Sequence, residues 1–466
     1  MVTYALDPEP SKSAGDLVVG DAAERQRDRI LLGKLAESGK ARRLWLDLSG
    51  EQVVAVLGKR GTGKSYTLGV LIEGLAAGQG VSQLAELVTP RAGLVLDIMD
   101  IFWTSRVPLA SDGPPEVRRQ HELMRGAGYT AQALSVDLWI PAGFERPDID
   151  PPGVSALTVR PSDLEIDDWA GLFSVDIYSE PRGMLIADAI QHVAIAGYTK
   201  GDGSTVDPDP EYSMADLLVC VDTDADLQAN YRPDTIRSVR QRMASYASLP
   251  LFAGAGTPLH DLLRPFRVSV LMLARAPDAL KKVLVAVLAR RLLRERRDAS
   301  FAQKRLDLDP ALSPEDSTRL RDFVARSVPR SWVLMDEAHV LAGADEESVA
   351  RDALVKFAKE GRNYGLSLAI ATQQPSAVDS RLMSQVETLV VHQLTAPRDA
   401  TVATQNIRSP HPTRIRVDGT ECDVETLLRR LGQGVATFSS GNAPSLARVC
   451  VTAIRPRITA HGGYEA

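Results

Sequence analysis

The sequence predicts an α/β fold, a doubly wound sheet interrupted by a mainly helical insertion. Continuous apolar runs typical of buried parallel strands alternate along the chain with helical patterns. One such run, at 53–57, leads through a glycine-rich turn into a helical pattern at 66–72, and another, at 332–335, ends in two acidic residues. Because parallel strands end at one edge of a sheet, we expect the turn and the acids to meet there.

Length and composition restrict the possible classes of protein. The 466 residues are too many for one typical domain, and contents of 44% hydrophobic and 24% charged residues are ordinary for a globular protein. The net charge of −6 offers no general basic surface for nucleic acid, so any DNA contact would have to be local. Three widely separated cysteines and seven histidines without ligand spacing argue against a disulfide framework or a zinc site.

The same features suggest a location. Cysteines without disulfide spacing fit a reducing cytosol. The first residues lack the charged and apolar regions of a signal peptide, and the longest aliphatic run, Val283–Ala289, is too short to span a bilayer. We therefore expect a cytoplasmic protein without membrane contact.

Shifts in composition predict the domain organisation. Proline-rich loops separate helical patterns in the middle of the chain, which reads as an insertion with a short strand at 135–140. The polar N-terminal segment reads as an arm, with a short helix at 30–35 before a strand at 44–48. The predicted units are an arm (1–44), an α/β core with a C-terminal tail (45–105 and 263–466) and a mainly helical insertion (106–262).

The glycine-rich turn has the form G-x-x-x-x-G-K-[ST] in the strand–turn–helix context that this motif requires. Glycines let backbone N–H groups approach a phosphate, and the helix start adds donors and a positive dipole end. Lys64 would reach the β- and γ-phosphates of ATP, and the Ser65 hydroxyl would ligate Mg²⁺. The alternative is a turn that binds nothing. The predicted ATP-binding residues are Gly58, Lys59, Arg60, Gly61, Thr62, Gly63, Lys64, Ser65 and Tyr66.

The acidic strand end supplies a candidate metal ligand and a candidate base. Asp336 would hold Mg²⁺ together with Ser65, and Glu337 would deprotonate the attacking water. Alternatively, both acids only cap the following helix. The letters of 336–339 also match the DEAH-box helicases, but those proteins carry a Q-R-x-G-R-x-G-R motif in a second RecA-like domain, and this motif is absent from the sequence.

Two further catalytic candidates flank the next apolar run, 366–371. Gln373, at the tip of this strand, is placed to sense the γ-phosphate. Arg362, before the strand, could be offered to a neighbouring subunit's nucleotide, where an arginine stabilises developing phosphoryl charge. The alternative for Arg362 is an ordinary surface arginine.

Four motifs in order, 58–65, 336–339, 360–365 and 371–375, resemble the HerA/FtsK branch of P-loop ATPases, nearer HerA, and the likeness covers roughly residues 45–463. It implies a RecA-like core of the ASCE class in a hexameric ring, with ATP and Mg²⁺ between subunits and Arg362 acting in trans. It also implies duplex DNA in the pore and a partner, either a nuclease of the NurA kind or an antiphage effector.

The sequence departs from this family at two places. The segment before Val53 is shorter and more polar than the N-terminal β-barrel of HerA proteins, and His392 stands near a strand end where many relatives have an arginine. Two other functions stay open: a ring that binds ATP and scaffolds an effector, and a DNA pump of the FtsK or conjugation type.

A long helix predicted after the strand at 268–273 carries an excess of positive charge on its polar face. Such a face could line a DNA path, and the alternative is a solvated helix surface. Its basic residues are Lys281, Lys282, Arg290, Arg291, Arg294, Arg296, Arg297, Lys304 and Arg305.

Overall fold

The computed structural model describes residues 2–7, 15–20, 28–37, 42–78, 81, 83–345, 347–441 and 448–463. Strands and helices alternate through most of this part of the chain. The strands are β1 (Tyr4–Asp7), β2 (Leu17–Val19), β3 (Arg29–Leu35), β4 (Arg43–Asp47), β5 (Val53–Leu57), β6 (Ala85–Glu86), β7 (Arg91–Asp97), β8 (Val136–Pro141), β9 (Val154–Leu157), β10 (Tyr198–Thr199), β11 (Thr205–Val206), β12 (Val268–Met272), β13 (Arg330–Met335), β14 (Leu366–Thr372), β15 (Thr388–Val391), β16 (Arg414–Val417), β17 (Thr420–Cys422), β18 (Val435–Ser440) and β19 (Cys450–Ile454).

Helices connect these strands and make up most of the segment between β9 and β12. They are α1 (Lys64–Ala77), α2 (Pro115–Gly126), α3 (Ile166–Phe173), α4 (Pro181–Gln191), α5 (Met214–Thr223), α6 (Ala225–Asn230), α7 (Pro233–Ala247), α8 (Leu259–Leu262), α9 (Asp278–Leu308), α10 (Pro314–Arg326), α11 (Ala338–Leu341), α12 (Val349–Glu360), α13 (Ser380–Met383), α14 (Pro397–Gln405) and α15 (Val424–Arg430).

One large sheet organises the molecule. Its strand order is β2-β4-β3-β19-β18-β15-β5-β14-β13-β7-β12-β8-β9, with β6 on β3. Every pairing from β15 to β9 is parallel, and the strands from β18 to β3 are antiparallel. Strand β14 lies between β5 and β13, so the strand before the glycine-rich turn and the acidic strand are not direct neighbours.

Successive side chains of β5 enter two different hydrophobic cores. Val53, Ala55 and Leu57 belong to the core that includes α9 and α12, whereas Val54 and Val56 belong to the core that includes α1. A strand buried on both faces requires helices on both sides, as in a doubly wound fold. The predicted doubly wound α/β class is therefore confirmed.

The N-terminal segment differs from the prediction in one element. Residues 29–35 form strand β3 rather than a short helix, paired with β4 and with β19 near the other end of the chain. A Cβ added at Gly33 would lie 2.0 Å from the carbonyl oxygen of Ala453, so the two strands approach closely at this glycine. The prediction was wrong because pairing with a distant strand outweighs local helical spacing. A local sequence pattern does not reveal that partner strand.

The segment predicted as an insertion contributes both helices and strands. Helices α2 to α8 lie within it, and the strand expected at 135–140 is found as β8. Strands β8 and β9 belong to this segment, and they extend the main sheet beyond β12 and form its edge on that side. The boundaries of the three units remain a prediction.

The basic side of α9 is partly used inside the molecule. Arg290 forms an ion pair with Asp168, Arg291 donates to the carbonyl oxygen of Thr257 at 3.1 Å, and Arg296 donates to two backbone carbonyls. These three side chains connect α9 to the insertion and to the sheet. They therefore do not belong to a free basic face, and the predicted DNA-binding surface of nine residues is wrong at these positions.

We expect Arg290→Ala to lower the free energy of unfolding by about 1–3 kcal/mol at pH 7, because it leaves the fully buried Asp168 carboxyl without its cation and hydrogen-bond donor. Burial raises the pKa of Asp168 to about 6, so protonation should reduce this loss below that pH. Urea denaturation measures the effect. The matched control is Arg294→Ala, because this side chain is 61% exposed and lies 3.9 Å from Asp163; its effect should stay within about 0.5 kcal/mol. Equal losses in the two variants would contradict an internal role for Arg290.

Candidate active site

The glycine-rich turn begins where β5 ends and is shaped by its three glycines. Gly61 and Gly63 have φ angles of +78° and +122°, which side chains other than glycine rarely adopt. At Gly58 the reason is space, since an added Cβ would lie 2.7 Å from the Cβ of His392. Helix α1 then begins at Lys64. The turn therefore presents backbone N–H groups at a helix start, as an anion site requires.

Lys64 folds back over this turn. Its Nζ donates to the carbonyl oxygen of Lys59 at 3.3 Å, and the Thr62 hydroxyl donates to the same oxygen at 2.8 Å. Burial lowers the pKa of Lys64, and the carboxylates of Asp336 and Glu337 partly oppose this shift. The ammonium is thus partly desolvated, and an added phosphate would strengthen its charged form.

The acid after β13 meets the hydroxyl at the start of α1. The Ser65 hydroxyl donates to Asp336 Oδ2, and the backbone N–H of Glu337 donates to Asp336 Oδ1 at 2.8 Å. Asp336 is only 2% exposed. A hydroxyl and a carboxylate in contact supply the hard oxygen ligands that Mg²⁺ prefers, so Ser65 and Asp336 fit the predicted metal site.

Glu337 is held in an unusual conformation. Its φ and ψ are 49° and 50°, a left-handed conformation that costs a non-glycine residue on the order of 1–3 kcal/mol. Gln373 Nε2 donates to Glu337 Oε1. The other oxygen, Oε2, is buried, lies 3.4 Å from His339 Nδ1 and has no hydrogen-bond partner within the described residues. This acceptor is available to a water molecule.

Strand β14 brings Gln373 between the turn and the acids. Thr372 is in register with Leu57 of β5, and Ile370 is in register with Met335 of β13. Residues that follow these three strands therefore lie at the same edge of the sheet. The structure thus brings together Lys64, Ser65, Asp336, Glu337 and Gln373, as we expected from the sequence.

Arg362 lies at the other edge. It precedes β14, whose seven residues span about 20 Å, so it is far from its own chain's glycine-rich turn. Its guanidinium is 38% exposed and forms an ion pair with Glu387. The structure does not bring Arg362 to the site of the same subunit.

His392 packs against the glycine-rich turn. Its Nε2 is 2.8 Å from the Thr67 hydroxyl, its Nδ1 is 3.2 Å from the carbonyl oxygen of Val435, and it has no exposed surface. Burial, with a smaller effect of the Lys64 charge, lowers its pKa to about 3. The imidazole is therefore neutral at pH 7 and adds no positive charge at this strand end. The sequence showed the departure at 392 but not its packing role.

The C-terminal tail packs against α1 on the side of Tyr66. The Tyr66 hydroxyl accepts a hydrogen bond from the Arg457 backbone at 2.7 Å, and its ring meets His461 edge to face. Arg455 and Arg457 both pair with Glu73, which has no exposed surface. The Tyr66 side chain thus helps to hold the tail against α1, and its contact with ATP remains a prediction. Glu73, which anchors the tail, was not recognised in the sequence.

Comparison with known proteins places this site in a family context. A family model described as "Helicase HerA, central domain" matches residues 30–292, more than half of the chain. The DNA double-strand break repair helicase HerA of Pyrococcus furiosus is 25% identical over 142 residues, 29% of this chain and 26% of that protein. A probable helicase of Methanocaldococcus jannaschii is 25% identical over 142 residues, 30% of this chain and 24% of that protein. The matched regions thus span about a quarter of each relative's length.

Solved structures with similar folds cover nearly the whole chain. VirB4 of Thermoanaerobacter pseudethanolicus is 15% identical with a TM-score of 0.47, covering 94% of this chain and 97% of that one. The plasmid coupling protein TrwB in complex with ADP and Mg²⁺ is 14% identical with a TM-score of 0.47, covering 95% and 98%. None of the helices in the described ranges has both the length and the apolar character that a bilayer span requires.

Proposed function

Because this chain belongs to the family of the HerA helicase central domain, we propose that it is an ATP-hydrolysing motor that moves or unwinds duplex DNA. The observation that carries the proposal is the meeting of Lys64, the Ser65–Asp336 pair and the Glu337–Gln373 pair at one sheet edge. These are the positioning and electrostatic groups that phosphoryl transfer needs.

Each side chain has a separate role in the proposed reaction. Lys64 provides positive charge for the β- and γ-phosphates of ATP, and Ser65 and Asp336 would hold the Mg²⁺, which neutralises phosphate charge when bound. Glu337 accepts the proton of the attacking water through its free oxygen. Gln373 orients Glu337 through its amide and, once the nucleotide is bound, lies where it can contact the γ-phosphate.

The assembly and its partners form the finer part of the proposal. A hexameric ring would place Arg362 of one subunit at the nucleotide of the next, which accounts for its distance from its own site. Duplex DNA would pass through the pore, and the motor would work in the cytoplasm with a nuclease or an antiphage-defence effector. The pore residues that contact DNA are not those of α9 that bind the insertion.

DNA-stimulated ATP turnover tests the motor function. We expect duplex DNA to raise the rate at which phosphate is released from ATP in the presence of Mg²⁺, because a translocating ring couples hydrolysis to movement along DNA. Lys64→Ala should abolish nucleotide binding and this turnover, since the ammonium that meets the β- and γ-phosphates is lost. ATP turnover that duplex DNA of any length leaves unchanged would favour the alternative of a ring that binds ATP and scaffolds an effector. Undiminished ATP affinity in Lys64→Ala would refute the nucleotide site itself.

A further inference from the structure

Three potential metal ligands meet inside the insertion, well away from the glycine-rich turn in the sequence. His192 begins a π-helical turn directly after α4, Cys220 lies on α5, and Asp224 follows α5. His192 Nδ1 is 2.5 Å from Asp224 Oδ2, and Cys220 Sγ is 3.7 Å from the same oxygen. The three ligand atoms all lie within 4.8 Å of one another. A nitrogen, a sulfur and a carboxylate oxygen therefore converge on one point.

The arrangement is not that of a nucleophilic cysteine. In a cysteine–histidine–aspartate relay the imidazole stands between the sulfur and the carboxylate, with one ring nitrogen facing each. Here a single oxygen, Asp224 Oδ2, faces both Cys220 and His192. Both groups thus face the same carboxylate oxygen, and the three ligand atoms lie close enough together for one ion to contact all of them.

Burial and access also suit a bound ion. Cys220 has no exposed surface and Asp224 is 1% exposed, so both of these ligand groups lie in the interior. The His192 side chain is 24% exposed and leaves a path to solvent on one side. Asp224 Oδ1 is already used, because it accepts the backbone N–H of Asp226 at 2.9 Å and so fixes the orientation of the carboxylate.

We propose that His192, Cys220 and Asp224 bind one Zn²⁺, with water as the fourth ligand. A thiolate with an imidazole selects a borderline-soft ion over Mg²⁺ or Ca²⁺. Tetrahedral zinc with bonds of about 2.0–2.3 Å keeps its ligand atoms about 3.3–3.7 Å apart. The sulfur–oxygen separation already fits, and the histidine–aspartate pair has to open by less than about 1 Å. On binding, the Cys220 thiol proton leaves to solvent, and the proton between His192 Nδ1 and Asp224 Oδ2 moves through solvent to Nε2, so that Nδ1 is free to bind the ion.

The ion would stabilise the insertion and would be independent of the proposed motor function. It joins the end of α4 to the end of α5, where the β10–β11 hairpin also attaches. The N–H of Gly201 donates to the carbonyl oxygen of Thr223 at 2.9 Å, and the backbones of Lys200 and Asp224 form an isolated antiparallel β-bridge. A metal bound between these two helix ends stabilises the folded state, because the three ligands come together only when the insertion is folded.

Zinc titration of the full chain tests the proposal. The chain is treated with chelator, titrated with zinc chloride alone, and followed by elemental analysis and thermal unfolding. We expect one zinc per chain and a raised Tm in the wild type. His192→Ala and Cys220→Ser should lower zinc affinity more than tenfold, since even outer-shell partners of a metal contribute about 10–100-fold. The matched control is Cys450→Ser, because Cys450 is equally buried but lies on β19, with Thr452 as its sulfur's partner; its zinc affinity should not change.

Cobalt gives a readout that does not depend on the folding of variants. Wild-type chain loaded with Co²⁺ should show thiolate-to-cobalt charge-transfer absorption, which Cys450→Ser keeps and Cys220→Ser loses. Absence of this absorption in the wild type, substoichiometric zinc, or unchanged zinc affinity in both ligand variants would overturn the proposal. ATP turnover is measured in parallel, so failure of the zinc site and failure of the motor proposal remain distinguishable.

Discussion

Replacement of Glu337 by glutamine is expected to reduce ATP turnover by about 10²–10⁴-fold while ATP remains bound. The amide has nearly the shape of the carboxylate, and its oxygen can still accept the hydrogen bond that Gln373 donates. The left-handed backbone at 337 is occupied by either residue at the same cost. The variant therefore loses only the oxygen that can take a proton from water.

Phosphate release and equilibrium ATP binding should be measured on the same preparation. Glu315→Gln is a matched control, because Glu315 lies in the first turn of α10 and is exposed to solvent; its turnover should equal that of the wild type. Near-normal turnover in Glu337→Gln would move the base to another group. Gln373 would then be the first residue to reconsider, as a group that positions the water directly.

The active site could be predicted from the sequence because its parts are local. The turn at 58–65 contains its own strand, glycines and helix start, and Asp336 and Glu337 directly follow a recognisable strand. One rule about parallel sheets is enough to bring these segments together. The structure added what no local pattern contains: the strained backbone of Glu337, its bond to Gln373 and the neutral His392 below the turn.

The errors and omissions concern contacts between distant parts of the chain. The local pattern at 30–35 predicts a helix because β19, the partner strand of β3, lies more than 400 residues away in the sequence. The pattern of α9 predicts a solvated or DNA-facing surface at Arg290 because Asp168, the partner of Arg290, lies 122 residues away. His192 and Cys220 are 28 residues apart and match no metal-binding spacing, so the sequence argued against a zinc site. Only folding of the insertion brings them together.

In the proposed ring, Arg362→Ala subunits should assemble and bind ATP but hydrolyse it about 10³–10⁵-fold more slowly, as expected for loss of an arginine that stabilises the phosphoryl charge. The structure supports a role in trans because Arg362 precedes β14 and the nucleotide motif follows β5 at the opposite edge. Glu387→Gln is the matched control. It removes the ion-pair partner of Arg362 and leaves the guanidinium in place. If Arg362 acts only through this ion pair, both variants should lose the same activity; if it acts on a neighbour's nucleotide, Glu387→Gln should stay active.

Mixing two inactive proteins, Glu337→Gln and Arg362→Ala, distinguishes action in trans from action in cis. In a mixed ring some interfaces combine an intact Glu337 with an intact Arg362 from the next subunit. These interfaces should recover turnover that neither parent has, and the recovery should pass through a maximum as the mixing ratio is varied. If Arg362 served its own subunit, every site in the mixture would carry one lesion, and activity would stay at the parental level at all ratios. A flat titration, with mixed rings demonstrated by differently tagged subunits, would therefore reject the role in trans. A maximum would establish that each nucleotide site is completed by Arg362 of a neighbouring subunit.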